Sequence, residues 1–285
     1  MADGSAIATD DMTETTSAPV KPRKARKATA KPRDRYKPRK FKVDIWATDF
    51  NTAEIGIMKR MQNEAASDQF TKDMEIFGQT LDGGKREALL AYRKELWDDH
   101  KDFDRRLVIK LFSESLSWRG TLEMLVGRSL QLTRGSGVTV PAFSINLARH
   151  KQLIEVQRCA RKLPFMPERF TFFLQNKTGP QFYSLRKKVL CFGSDYVVYD
   201  HQGRKIGYLD QKLINLGGAW KVTLDPDRTD AKLEATLELI CAMLKFNKSC
   251  RRHLGGLSKK VRAGKMAPQL SSRERDLYFN PRRRN

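Results

Sequence analysis

The stretch that decides the fold is 183–227, YSLRKKVLCFGSDYVVYDHQGRKIGYLDQKLINLGGAWKVTLDPD. Short runs rich in Tyr, Val, Phe and Ile alternate in it with turns that contain Gly, Asp and Asn, which is the pattern of strands joined by hairpins. After Tyr199, the residues Asp-His-Gln-Gly suit a short loop in which Gly203 takes a positive φ. A similar run at 170–174 precedes the stretch. The sequence therefore predicts an antiparallel meander of strands.

The period of the apolar pattern changes at 230–246. One helical stripe there consists of Leu233, Leu237, Ile240 and Leu244, and the segment is apolar almost all round in its second half. A helix that is apolar on most faces must be buried. The apolar run is also shorter than the ~20 residues needed to cross a bilayer. We therefore expect a helix that the strands enclose.

Two runs resemble a known family: VVYDHQGRKIG at 197–207 and LDPDRTDAKLEATLELICAMLKF at 224–246. They are similar to the tubby C-terminal-like superfamily, in its phospholipid scramblase and LURP-one-related branch, over about residues 169–246. The resemblance implies a β-barrel threaded by its C-terminal helix, in a soluble relative that contacts membrane phospholipid. The family barrel has twelve strands, whereas about five are clear in this sequence. Either further strands lie upstream, or the barrel is reduced to an open sheet.

The preceding part of the chain is predicted to be helical. Apolar residues recur at helical spacing over 52–81, 85–103 and 143–163, and an Asp-Gly-Gly sequence suggests a turn between the first two helices. The runs 107–118 and 121–132 are read as helices but could equally be strands, because periodicity does not separate the two in short runs. The predicted class is α+β, with a helical N-terminal segment, then an antiparallel sheet or small barrel that encloses a hydrophobic C-terminal helix.

The net charge of +22 is concentrated near the two ends of the sequence. Residues 21–42 hold twelve Lys and Arg residues against one acidic residue, and residues 245–285 hold thirteen against two, so each segment carries a net +11. The segment 1–40 has almost nothing to bury and is expected to be disordered, and Pro164 and Pro167 mark a boundary. The predicted parts are a disordered basic arm (1–42), a helical segment (43–165), the strand module with its buried helix (166–250) and a basic mobile tail (251–285).

Two clusters of basic residues are the candidate functional sites. They are Lys21, Arg23, Lys24, Arg26 and Lys27 in the arm, and Arg251, Arg252, Lys259, Lys260 and Arg262 in the tail. Each positive charge near an anionic bilayer contributes about 1 kcal/mol to binding. The sequence thus predicts a non-enzymatic protein that binds anionic phospholipid surfaces. The same clusters could instead neutralise nucleic-acid phosphates or serve solubility alone, and composition does not separate these uses.

Motifs for catalysis, cofactors and metals are missing from the sequence. It lacks G-x-S-x-G, the Walker lysine motif and G-x-G-x-x-G, and its four histidines lack a spacing such as H-E-x-x-H. Asp225, Asp227 and Asp230 could hold calcium, but acidic residues before a helix are more often its cap. The four cysteines are expected to be buried reduced thiols. No apolar signal sequence is visible, so we expect a soluble cytoplasmic protein, with or without peripheral attachment to a membrane.

Overall fold

The computed structural model describes residues 37–46, 67–161, 163, 166–177, 179–189, 193–212, 218–228 and 230–279. Within them, twelve strands form one closed antiparallel barrel, in which each strand pairs with its neighbours along the chain and the first pairs with the last. The strands are β1 (Arg39–Ile45), β2 (Met74–Asp82), β3 (Lys85–Arg93), β4 (Val108–Ser113), β5 (Trp118–Met124), β6 (Ala142–Leu147), β7 (Leu153–Arg158), β8 (Arg169–Asn176), β9 (Gly179–Lys187), β10 (Tyr196–Tyr199), β11 (Lys205–Lys212) and β12 (Ala219–Leu224).

The side chains of β12 show how the barrel obtains its core. Trp220, Val222 and Leu224 are buried in the interior, whereas Lys221 between them is exposed. The paired strand β1 alternates in the same way, and its Val43 lies opposite Trp220. Because successive side chains of a strand point to opposite faces, this alternation lines the barrel with apolar groups.

Three α-helices accompany the barrel among the described residues: α1 (Val126–Ser136), α2 (Ala231–Arg262) and α3 (Ser272–Phe279). The first part of α2 lies inside the barrel, where Leu233, Leu237 and Ile240 have no exposed surface. Asp230 caps the helix, since its carboxylate accepts a hydrogen bond of 2.7 Å from the backbone N–H of Leu233. The prediction of a barrel that encloses a hydrophobic helix is confirmed.

Two contacts fix the direction of α2 through the barrel. Near its start, Lys232 Nζ donates a 2.6 Å hydrogen bond to the carbonyl oxygen of Gln175, beside the β8–β9 hairpin. Near its end, Lys260 Nζ donates a 2.6 Å hydrogen bond to Asp102 Oδ1, in the connection from β3 to β4. In an antiparallel barrel these two connections lie at opposite ends. The end near Gln175 is called the entry end below, and the end near Asp102 the exit end.

The predicted meander over 170–224 is confirmed as strands β8 to β12. The turn after Tyr199 joins β10 to β11, and its Gly203 has a φ of 75°, which glycine adopts without strain. The Asp200 carboxylate accepts hydrogen bonds of 2.9 Å from the backbone N–H groups of Gln202 and Arg204. Local turn chemistry therefore sets this hairpin, as expected from the sequence.

The predicted helical segment at 43–165 is wrong for most of the residues that the structure describes there. The helix expected at 85–103 is strand β3 followed by a π-helical turn, Glu95–Asp99, and the helix expected at 143–163 is the pair β6 and β7. The Asp-Gly-Gly turn joins two strands rather than two helices.

Burial on both faces of the sheet explains this error. Leu90 and Ile109 belong to the interior core around α2, whereas Leu89, Ala91 and Phe112 belong to a second apolar cluster on the outer face of the barrel. A strand that is covered on both sides has a continuous apolar run in place of an alternating one. Such a run matches a helical stripe by chance, so periodicity alone misled the prediction.

The remaining part of the predicted helical segment is mixed. The helix expected at 52–81 ends in strand β2, and its first part, 52–66, lies outside the described residues. The run 107–118 contains β4 and the start of β5, so the strand alternative holds there. The run 121–132 contains the end of β5 and most of α1.

The predicted domain boundary in front of the strand module is also wrong. Strands on both sides of Pro164 and Pro167 belong to the same barrel, so these prolines lie in the connection from β7 to β8. The predicted arm, 1–42, ends earlier than expected because β1 begins at Arg39. The rest of that arm, 1–36, lies outside the described residues.

The predicted mobile tail at 251–285 is wrong as far as residue 279. The helix α2 continues to Arg262 and α3 follows it. The buried carboxylate of Glu274 in α3 accepts hydrogen bonds of 3.1 and 3.0 Å from the backbone N–H groups of Gly127 and Arg128 at the start of α1. A carboxylate at a helix N-terminus satisfies free donors and opposes the helix dipole, so α3 is held against α1.

Candidate anion-binding site

The exit half of α2 is strongly basic and has a defined orientation. Between residues 245 and 262 it carries seven Lys and Arg residues and no acidic residue. Cys250, Leu254 and Leu257 form a buried stripe along this half, because spacings of three and four residues place them on one helical face. Packing of this stripe fixes the side of the helix on which each basic residue lies.

A pocket of about 260 Å³ opens between this half of α2 and the connection from β3 to β4. The lining residues are Asp102, Arg105, Ser249, Arg252, His253, Gly256, Leu257 and Lys260. Two of the basic residues proposed from the sequence, Arg252 and Lys260, thus meet in one cavity. Arg105 and His253 add two more nitrogen-bearing side chains, against a single carboxylate.

That carboxylate, Asp102, is already engaged by Lys260, with 2.6 Å between Nζ and Oδ1. The guanidinium carbon of Arg105 lies 4.6 Å from the centroid of the Trp97 ring, a distance at which the ring face attracts a cation. Across the described part of the chain, no carboxylate forms an ion pair with Arg105 or Arg252. The pocket therefore carries uncompensated positive charge.

The imidazole of His253 lies among these basic side chains. Burial lowers the pKa of His253, and the nearby Arg105 charge lowers it further, so the ring is neutral near pH 7. His253 Nε2 and Arg105 Nε are buried, and neither has a hydrogen-bond partner in the described ranges. A buried polar atom without a partner destabilises the fold. An anion in the pocket would supply an acceptor to the free Arg105 donor.

The chemistry that these groups can perform is recognition of an oxyanion. Guanidinium groups match the geometry of phosphate and carboxylate oxygens and bind them through paired N–H donors. Ser249 adds a hydroxyl to the lining. Phosphate, with oxygens on every side, suits a pocket whose donors come from two different chain segments.

The other predicted residues are placed elsewhere. Lys259 and Arg262 are exposed on α2 and do not line the pocket. Arg251 is half-buried and lies close enough to Tyr196 for its charge to act on that hydroxyl. The basic residues predicted in the N-terminal arm lie outside the described residues: Lys21, Arg23, Lys24, Arg26 and Lys27.

A buried polar network at the exit end anchors α2 where it leaves the barrel. The Glu168 carboxylate accepts hydrogen bonds from Arg158 Nε at 2.6 Å, Tyr196 Oη at 2.7 Å and Asn247 Nδ2 at 3.1 Å. Burial alone would raise the pKa of Glu168, but the bonds from Tyr196 and Arg158 hold this pKa below its usual range. Asn247 belongs to α2, so the network fixes the depth of the helix and thereby the position of the pocket.

Sequence reasoning missed three pocket residues, Asp102, Arg105 and His253. Asp102 lies at the end of the segment predicted as helix, 85–103, and Arg105 follows it, and nothing local in the sequence indicates that they reach α2. A signal did exist for His253, because Cys250, Leu254, Leu257 and Val261 continue a helical stripe beyond residue 250. The predicted boundary between residues 250 and 251 divides that stripe.

The acidic group before α2 acts as a helix start. Asp230 caps α2, and Asp225 Oδ1 accepts a hydrogen bond of 3.2 Å from the backbone N–H of Asp227. Nowhere in the described ranges do three or more His, Cys, Asp and Glu side chains form a group that could hold a metal ion. Cys159, Cys241 and Cys250 are free thiols, the last two fully buried, whereas Cys191 lies outside those ranges.

No helix among the described residues is long and apolar enough to cross a bilayer. Comparison of the chain with protein-family models, with curated proteins and with solved structures found no match to any of them.

Proposed function

We propose that this protein is a non-enzymatic, tubby/scramblase-like binding protein that engages anionic phospholipid surfaces through its basic segments. The observation that carries the proposal is the pocket at the exit end, where Arg105, Arg252 and Lys260 converge with only one carboxylate. We place the protein in the cytoplasm, with peripheral attachment to a membrane.

The charge of α2 gives the expected strength of this attachment. Seven cationic residues lie within the last 18 residues of the helix, without an acidic residue among them. At about 1 kcal/mol for each charge near the surface, all seven together would supply about 7 kcal/mol, which is a dissociation constant on the order of 10 μM, whereas half of them would give only millimolar binding. Exposed residues such as Lys259 and Arg262 would contribute general attraction, and the pocket would take one headgroup phosphate.

The architecture supports the same proposal through the family resemblance. A closed barrel of twelve strands around a C-terminal helix agrees with what a resemblance to scramblase and LURP-one-related proteins implies. Among the described residues the sheet is closed and not open, because β1 pairs with β12.

Sedimentation with vesicles tests the proposal. The full chain is mixed with phosphatidylcholine vesicles that contain or lack phosphatidylserine, across a salt series. The double variant Arg252→Gln/Lys260→Gln removes two charges and should lose about 2 kcal/mol, roughly a 30-fold weaker binding. The matched control is Lys85→Gln/Lys151→Gln, which removes two exposed charges at the entry end. Equal binding of both double variants would contradict the proposal.

Nucleic acid is the alternative partner for the same basic residues. Their charges would neutralise backbone phosphates, with an affinity that falls steeply as salt rises. A mobility shift with duplex DNA, run at the same salt concentrations as the vesicle assay, separates the two partners. Tighter binding to DNA than to phosphatidylserine vesicles would favour the alternative.

A further inference from the structure

A second candidate site lies on the outer wall of the barrel, away from α2. A groove of about 470 Å³ runs over β7, β8 and β9, flanked by the start of α1 and by the turn between β10 and β11. It shares no lining residue with the pocket at the exit end. The two surfaces can therefore be changed independently.

The outward side chains of β8 and β9 form three matched cross-strand pairs in this groove. Antiparallel register places Arg169 opposite Arg186, Thr171 opposite Ser184, and Phe173 opposite Phe182. Residues two apart in a strand are about 6.6 Å apart along it, so the arginine pair lies about 13 Å from the phenylalanine pair. The groove thus has a cationic end, a hydroxyl centre and an aromatic end.

The arginine pair at the cationic end has no carboxylate partner in the described ranges, although the guanidinium carbon of Arg186 lies 4.5 Å from the centroid of the Tyr199 ring. Two like charges placed directly opposite each other across a ladder are unfavourable. Within the part of the chain that is described, neither Arg169 nor Arg186 forms an ion pair, although nearby Arg204 pairs with Asp200 at 2.9 Å. Arg169 Nε is buried and has no hydrogen-bond partner in those ranges. Arg128 from α1 adds a third guanidinium to the groove.

The aromatic end is exposed although its rings touch. Phe173 and Phe182 are 37% and 57% exposed, and their ring centroids are 5.7 Å apart with the planes tilted by 42°. Glu155 also lines the groove. It lies two residues before Gln157, which is opposite Thr171, so its carboxylate is at the aromatic end and not beside the arginine pair.

We propose that this groove binds a nucleoside phosphate. The phosphate lies between Arg169 and Arg186, the sugar hydroxyls face Thr171 and Ser184, and the base stacks on the phenylalanine pair. Arginine binds phosphate oxygens through paired donors, and stacking of a base on an aromatic side chain is a common mode of recognition. The Glu155 carboxylate can accept a hydrogen bond from an amino group of the base.

The length and shape of the groove favour this ligand over a phospholipid. An acyl chain that started at the arginine pair would run past the phenylalanine pair and the β8–β9 turn into solvent. A flat bilayer surface would also not enter a concave groove. A nucleoside phosphate places an anion, hydroxyls and a flat ring in the observed order over the observed distance.

Calorimetry on the full chain tests the assignment, with ADP, pyrophosphate, dodecyl phosphate and a uridine octanucleotide as probes. Arg186→Gln should weaken ADP and pyrophosphate about tenfold each. Phe182→Ala should weaken ADP about tenfold and leave pyrophosphate unchanged. Both side chains are exposed, so these variants should fold, which thermal unfolding checks. Lys151→Gln is the control that should change neither ligand.

The remaining probes identify the source of the nucleotide and separate this groove from the α2 pocket. Octanucleotide binding that depends on Phe182 would assign the site to an unpaired strand, and ADP binding alone to a free nucleotide; either supports the proposal. Absence of binding to both ADP and octanucleotide, tighter binding of dodecyl phosphate than of ADP, or an Arg186→Gln variant that binds like the wild type would overturn it. Arg252→Gln/Lys260→Gln should leave ADP binding unchanged, whether or not it affects vesicle binding.

Discussion

A buried acid inside the barrel makes the stability of this protein depend on pH. Glu238 lies on α2 and is 2% exposed, and its Oε2 has no hydrogen-bond partner in the described part of the chain. Burial raises the pKa of Glu238 to about 8, even though the positive charge of Arg119 opposes the shift. Glu87 and Glu234 face the same region and raise this pKa further, while Arg39 lowers it.

The sign and size of the effect follow from linkage. The unfolded chain releases the Glu238 proton near the ordinary pKa of 4.5, whereas the folded protein holds it up to about 8. The folded state therefore binds more protons between these values, and the free energy of unfolding falls as pH rises through that window. A gap of 3.5 pKa units corresponds to about 5 kcal/mol, of which about 3 kcal/mol is lost by pH 7.

Urea unfolding of the wild type and of Glu238→Gln at pH 5 and at pH 9 measures this effect. Near pH 5 the two proteins should have similar stability, because protonated Glu238 and Gln are both neutral. At pH 9 the variant should be more stable by several kcal/mol. Glu114→Gln, at an exposed position, should show the same pH dependence as the wild type. Parallel pH dependences for wild type and Glu238→Gln would refute the reasoning.

Two further perturbations address the exit-end network and the packing of the barrel. Glu168→Ala removes the partner of buried Arg158. It should lower the free energy of unfolding, measured in urea titrations, by about 3–5 kcal/mol. A loss below about 1 kcal/mol would mean that the network is not buried as described. Gly207→Ala should lower the melting temperature, because a Cβ there would lie 2.4 Å from the backbone oxygen of Thr223. The matched variant is Gly256→Ala, where no atom lies within 4 Å of the added Cβ. It should instead stabilise α2 by about 0.5–1 kcal/mol. A change of melting temperature in the same direction for both glycine variants would contradict this account.

The sequence predicts the fold well where structure is set locally. The turn at 200–203 depends on the Asp200 side chain and on the positive φ of Gly203, and both are visible in a few residues. The helix inside the barrel is equally clear, because few environments other than a core accept a helix that is apolar all round. These elements were predicted correctly.

The upstream strands were not predictable from the pattern, since their environment is made by distant parts of the chain. Leu89 and Leu90 are both buried, one by an outer apolar cluster and the other by α2. A local pattern cannot distinguish this arrangement from an amphipathic helix. The end of α2 was also missed, because packing of Leu254 and Leu257 carries the helix through Gly255 and Gly256 in spite of the unfavourable helix propensity of glycine.

The candidate site was predictable only in part. Charge along the chain indicated Arg252 and Lys260, because a basic run is a local property. Their convergence with Arg105 depends on the closed barrel, which brings the β3–β4 connection to the exit half of α2. The cross-strand pairs of β8 and β9 depend on register, which the sequence suggests only once the hairpin is known.

The closure of β1 on β12 determines when the barrel can form as the chain emerges from the ribosome. β1 can pair with β2 early, but its second partner is β12, and Leu224, the partner of Arg39, is synthesised 185 residues later. The helix that fills the interior comes after that partner. Until α2 is made, the interior faces of the early strands have nothing to pack against. Folding of this barrel is therefore a late, long-range event with high contact order, and the apolar interior faces of the early strands are prone to aggregation until it occurs.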